Sequence, residues 1–220
     1  MRKFQFLLPI ILAFSFTSSP SKKMRWEFKS QLADPVNIDT KLLKEAVIEY
    51  VNFRRQKTRK NQIQSNLYLD SIIGQFNTKY KNKDLYKKRK KVRQNFYSKA
   101  WDLGYTNSWF KIMYSESSTL LVSGKSIYFN SELNGFCWGT KKSLRDTNIK
   151  PILVPKLTYR QLAKRLVSRS LPGSNRRWIN TSGVDKIGIQ VNVNEKGFPY
   201  KLPSIELIFI VSGNVMPTKL

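Results

Sequence analysis

The sequence predicts an α+β fold. Two amphipathic helical segments come first, then short β-branched and aromatic pieces, then one more helix and two long alternating strands. Helices covering an antiparallel sheet satisfy that order. The chain has 220 residues, 40% hydrophobic and 13% aromatic, enough for one domain with a proper core.

The elements follow in order. Residues 1–19 have the layout of a secretory signal peptide: Arg2 and Lys3, an apolar run from Phe4 to Phe16, then Thr17, Ser18 and Ser19. The run is short for a bilayer span, although a retained N-terminal anchor is the alternative. Export to the periplasm, the cell envelope or the outside is expected, with no transmembrane span in the mature chain. Residues 20–38, with Pro20 and Pro35 and little periodicity, predict an extended N-terminal arm, and 39–220 the folded domain. Asp39 or Thr40 can cap a helix whose one face carries Leu42, Leu43, Ala46, Val47, Tyr50 and Val51. A second helix runs through "LYLDSIIGQFNTKY", with Leu69, Ile72, Ile73, Phe76 and Tyr80 at helical spacing and Gly74 as a weak point.

From Lys79 to Arg93 cations crowd the chain, including Lys87, Lys88, Arg89, Lys90, Lys91 and Arg93, against Asp84 alone. Leu85, Val92, Phe96 and Ala100 could give the segment one buried helical stripe. Tyr80, Tyr86, Phe96, Tyr97 and Trp101 interleave with the charges as stacking surfaces would, but aromatics at helical spacing are expected in a core. Strands and loops are expected in "FKIMYSES", "TLLVSGKSIYFNSEL" and "IKPILVP". A helix over 158–169 follows, with Leu162, Ala163, Leu166 and Val167 facing the core; Pro172 and Gly173 end it. "KIGIQVNVN" then alternates as a half-buried strand. A turn at "NEKGFP" leads to the last strand, "SIELIFIVS".

Composition removes several chemistries. The chain holds no histidine, so Ser-His-Asp and Cys-His catalysis and histidine metal sites are excluded. Cys137 stands alone, which rules out an intrachain disulfide or a cysteine zinc cluster and predicts a small buried hydrophobe. Ser108 and Lys111 have the S-x-x-K spacing of a serine nucleophile with a lysine base, but that spacing arises easily in a chain rich in both. No cofactor or metal site is expected. The net charge of +26 favours anionic partners: acidic polysaccharide, anionic lipid headgroups or nucleic acid.

Four segments resemble the CAP superfamily of cysteine-rich secretory proteins, antigen 5 and plant pathogenesis-related proteins. "LLKEAVIEYVNFRRQK" is similar to the family's first helix, with its N-x-x-R at Asn52 and Arg55. "YLDSIIGQFNTKY" is similar to its second helix. "TYRQLAKRLVSRSLPGSNRRWINTSGVDKIGIQV" resembles its T-Y-x-x-L-A helix, S-P-G-H-R loop and following strand in bacterial members, and "SIELIFIVS" falls where its last strand does. The resemblance implies an exported α-β-α sandwich, with a cleft where histidines and glutamates meet and can bind a metal.

This sequence departs from the family at the cleft. Phe76, followed by Asn77, stands at the helix-two histidine position. Ser174 or Asn175, with Arg176 beside it, stands at the loop histidine position. The family glutamate corresponds to Glu116 or to Glu132, and neither has the flanking Gly and Asn. Ser174, Asn175, Arg176 and Arg177 could donate hydrogen bonds to an anion, or Arg176 could cap the preceding helix. The expectation is therefore a bacterial-type CAP-like domain with a degenerate cleft. Such a domain is non-enzymatic and binds an anionic partner of the envelope or the extracellular space through a basic surface. Two other readings stay open: a hydrolase of envelope polymers using Glu116 with Ser or Lys partners, and a nucleic-acid-binding protein.

Overall fold

The structure is a computed structural model that describes residues 31–77, 94, 97–98, 101–102, 105–106, 109–120, 126–139, 150–170, 179, 181–196, 198, 202–213 and 216–217, with backbone alone at 75–77, 105–106, 109–110 and 216–217. The signal-like segment, the first part of the arm, the cationic run and the loop 171–178 lie outside the described residues.

Helices and strands are both present, in the predicted α+β arrangement. Helix α1 spans Thr40–Lys57. Asp39 caps it, its carboxylate accepting from the Leu42 amide at 2.9 Å. Arg54, Arg55 and Lys57 in the last turn complement the helix dipole, and Arg59, at φ 54°, turns the chain away. Strand β1 is Gln64–Ser65, and helix α2, Leu67–Asn77, starts where the Asn66 side chain accepts from the Leu69 amide at 2.9 Å. Five strands follow: β2 Tyr105–Thr106, β3 Trp109–Ser118, β4 Ile127–Asn130, β5 Gly135–Trp138 and, after helix α3 (Tyr159–Arg169), β6 Lys186–Asn194. Strands β7, Ser204–Gly213, and β8, Met216–Pro217, come last among the described residues.

The central sheet has the order β1-β6-β7-β3. Strand β7 pairs antiparallel with both β6 and β3, which puts the longest apolar strand at the centre, where both faces are covered. The sheet is mixed, not wholly antiparallel, because β1 runs parallel to β6, Gln64 opposite Lys186. Two residues carry no periodicity, so nothing in the sequence signals that strand.

The two faces differ. Ile187, Ile189 and Val191 of β6, Ile205, Leu207, Phe209 and Val211 of β7 and Met113 of β3 form one cluster with Leu43, Ala46, Val47, Tyr50 and Val51 of α1 and Leu162, Ala163, Leu166 and Val167 of α3. Burying each large side chain here contributes about 1.5–3 kcal/mol. On the opposite face α2 lies against β6, so close that a Cβ on Gly188 would fall 2.5 Å from the Leu69 Cβ. Asp70 of α2 accepts from the Ile189 amide at 2.8 Å and pairs with Lys44 of α1, closing the β6 edge just past β1.

Two expectations are modified. Arm residues 31–38 are docked: Ala33 and Ile38 belong to the main core, and the Ala33 amide donates to the Leu157 carbonyl at 2.8 Å. Among the described residues, segment 150–156 makes only isolated bridges, Cys137 with Leu153 and Leu120 with Lys156, since Pro151 and Pro155 lack the amides a ladder needs. Cys137 is fully buried, as expected.

Candidate functional site

The motifs behind the family resemblance hold the framework together. Asn52 makes a reciprocal pair with Ile63, its Nδ2 donating to the carbonyl at 2.9 Å and its Oδ1 accepting from the amide at 2.7 Å. Arg55, one turn on, is fully buried and donates to four carbonyls: Nε to Asn61 at 2.6 Å, one terminal nitrogen to Ile179 at 2.7 Å and Thr181 at 3.0 Å, the other to Val184 at 2.7 Å. Burial lowers the guanidinium pKa from its ordinary value, and the charge of Asp185 works against that shift. Thr158 and Gln161 form a capping box at the start of α3, and the Tyr159 hydroxyl accepts from the Asp39 amide at 2.9 Å, joining the starts of α1 and α3.

Of the cleft positions, Phe76 and Asn77 lie in the last turn of α2. Glu116 is on β3 and exposed, on the sheet face that carries Ile112 and, across β7 and β6, Ile210 and Gly188. That is the face α2 covers at Gly188. Ser174, Asn175, Arg176 and Arg177, and the cations Lys87, Lys88, Arg89, Lys90, Lys91 and Arg93, lie outside the described residues, as does Ser108 of the S-x-x-K spacing. Glu132, the alternative family glutamate, is exposed in the β4–β5 turn and belongs to a different sheet from Glu116.

What the fold brings to Glu116 is a second glutamate and a phenol. Glu116 is the register partner of Glu206 on β7, and Glu206 that of Asn192 on β6, so a polar row crosses three strands. One step along, Tyr114 donates its hydroxyl to Glu116 Oε2 at 3.0 Å. Burial raises the Tyr114 pKa well above its ordinary value; the hydrogen bond to Glu116 and the charges of Glu206 and Glu116 add to the rise. The phenol is therefore held as a neutral donor between two carboxylates. Such a row can accept hydrogen bonds from hydroxyl or ammonium groups, while Tyr114 is unsuited to act as a base. Ser and Lys partners for Glu116 are not found among the described residues; its hydrogen-bond partner is Tyr114.

Sequence reading missed Glu206 and Tyr114. Alternation in "SIELIFIVS" places Glu206 on the face opposite Leu207, but only the β3–β7 register sets it against Glu116. The aromatics near the cationic run also differ from expectation: Tyr97 is 42% and Trp101 62% exposed, four residues apart on helical backbone, although their spacing suggested a core stripe. Amphipathic spacing shows that such residues share a face, not which face the core takes.

Among the described residues no group of three or more histidine, cysteine or acidic side chains could hold a metal ion, and no helix is long and apolar enough to cross a membrane. No family profile, curated protein or solved structure was found to match the chain.

Proposed function

We propose that the chain is an exported, non-enzymatic, CAP-like binding domain. Its partner is an anionic polymer or surface of the cell envelope, either acidic polysaccharide or anionic lipid headgroups. The observation that carries this reading is the exposure of Tyr97 and Trp101 directly after the cationic segment 79–93. Cations neutralise a partner's phosphates, carboxylates or sulfates and release counterions, while exposed aromatic rings stack on sugars or settle among headgroups. The framework itself carries most of the chain's acidic residues, and the excess of +26 comes mainly from segments outside it.

The test is titration of the mature protein against acidic polysaccharide, phosphatidylglycerol vesicles and single-stranded DNA at low and physiological salt. One envelope-type ligand should hold at physiological salt, and Trp101→Ala should weaken it about fivefold to a hundredfold. Retention of DNA alone would favour nucleic-acid binding instead. Binding unchanged by salt, or by Trp101→Ala, would overturn the proposal.

The pairing of Glu116 with Glu206 favours one further reading, a hydrolase of envelope polymers. It requires polymer cleavage that Glu116→Gln abolishes with the fold intact.

A further inference from the structure

A groove between the arm, the β4–β5 turn and segment 150–156 is built for a different kind of ligand. Its walls come from three segments held by backbone hydrogen bonds. The Trp138 amide donates to the Ile152 carbonyl at 2.9 Å and the Val154 amide to the Phe136 carbonyl at 2.7 Å, fixing segment 150–156 against β5. The Ala33–Leu157 hydrogen bond sets the arm, with Leu32 and Pro35, beside them. The β4–β5 turn completes the rim: Asn130 Oδ1 accepts from the Leu133 amide at 3.0 Å and Asn134 turns at φ 42°. The groove has a volume of about 520 Å³ and is open to solvent. Gly135 lies directly against Leu153 in the lining: a Cβ there would come within 2.8 Å of Leu153 Cδ2.

The lining is mainly apolar. Leu120, Phe136 and Val154 form the buried floor, and Leu32, Leu133 and Leu153 stand over it. Leu32 is 58% and Leu153 50% exposed, and Ile152 next to the groove is exposed too, an apolar rim around a concave floor. Among the described residues Lys156 is the one charged residue of the lining. A preformed, mainly apolar groove of this size with a few polar groups at its edge, here Asn134 and Lys156, is the usual form of a small-molecule site.

We infer that the groove between the docked arm, the β4–β5 turn and segment 150–156 binds one free single-chain anionic amphiphile, its alkyl chain on Leu120, Phe136 and Leu153 and its head at Lys156. Charge complementarity selects the anionic head, since a neutral or cationic one leaves Lys156 without a counter-charge. This inference is independent of the polymer-binding proposal and responds differently to salt. Contacts to an alkyl chain persist when salt is raised, whereas phosphate or carboxylate docking weakens.

The experiment is calorimetric titration of the full chain with octanoate, decanoate and dodecanoate below their micellar concentrations, in high salt. Saturable binding of one molecule per chain is expected, tightening about fourfold per methylene. Leu153→Asp should weaken dodecanoate binding tenfold or more in high salt, and in a parallel low-salt titration Lys156→Glu should weaken dodecanoate several-fold while leaving dodecanol unchanged. Leu133→Asp, at an exposed turn, serves as the second variant if Leu153→Asp alters the circular dichroism spectrum. Three results would each overturn the inference: no saturable binding, affinity independent of chain length, or groove substitutions that weaken phosphatidylglycerol vesicle binding but not dodecanoate.

Discussion

Replacing Arg55 by Met keeps the unbranched stem and removes every donor. Four carbonyls, of Asn61, Ile179, Thr181 and Val184, then lose the guanidinium that joins the end of α1 to the loop leading into β6. Hydrogen bonds to a charged donor contribute about 1.5–3 kcal/mol each, so the gross loss is on the order of 6–12 kcal/mol. Removing a fully buried cation also removes its desolvation penalty, which is several kcal/mol. The difference leaves about 3–5 kcal/mol of destabilisation. In a chain of this size that lowers Tm by roughly 6–20 °C. Urea unfolding followed by circular dichroism should show the midpoint falling at constant slope, and Arg55→Lys, with three donors in place of five, should fall between. If Arg55→Met lies within about 1 kcal/mol of the parent protein, the four bonds do not hold the loop, and the reasoning fails.

Other outcomes follow from the same geometry. Gly188→Ala drives a Cβ into Leu69 and the α2 backbone, 2.5 and 2.7 Å away, and should cost about 1–3 kcal/mol or more in urea unfolding. Thr158→Ala removes half of the α3 capping box and should cost about 1 kcal/mol in the same measurement. Tyr114 has a raised pKa when folded, so its contribution is intact below the unfolded value near 10 and is lost as pH rises beyond it. Tyr114→Phe should therefore reduce the fall in stability above about pH 10, measured as the difference in urea midpoint between pH 9 and pH 11.

Most of the framework is legible in the sequence because it is set by local rules. Asp39 and Thr158 announce helix starts, the apolar spacing in α1 and α3 marks the faces that become the core, and alternation in "KIGIQVNVN" gives the two faces of β6. The candidate site is half legible: resemblance points to Glu116, while no local rule sets Tyr114 and Glu206 beside it. Whether Trp101 points into a core or into solvent was equally closed to spacing arguments.

The sequence by itself determined the α+β class, the helix caps, the exclusion of histidine chemistry and the net charge of +26, since these depend on residue identity or on neighbours a few positions apart. Only the tertiary structure decided that β1 runs parallel, that Glu116 faces Glu206, that Arg55 binds carbonyls over 120 residues away, and that Leu32, Leu133 and Leu153 ring one groove. Each of those contacts joins segments distant in the chain. Strand register and the packing of whole elements place them, and a one-residue slip would set different side chains opposite one another.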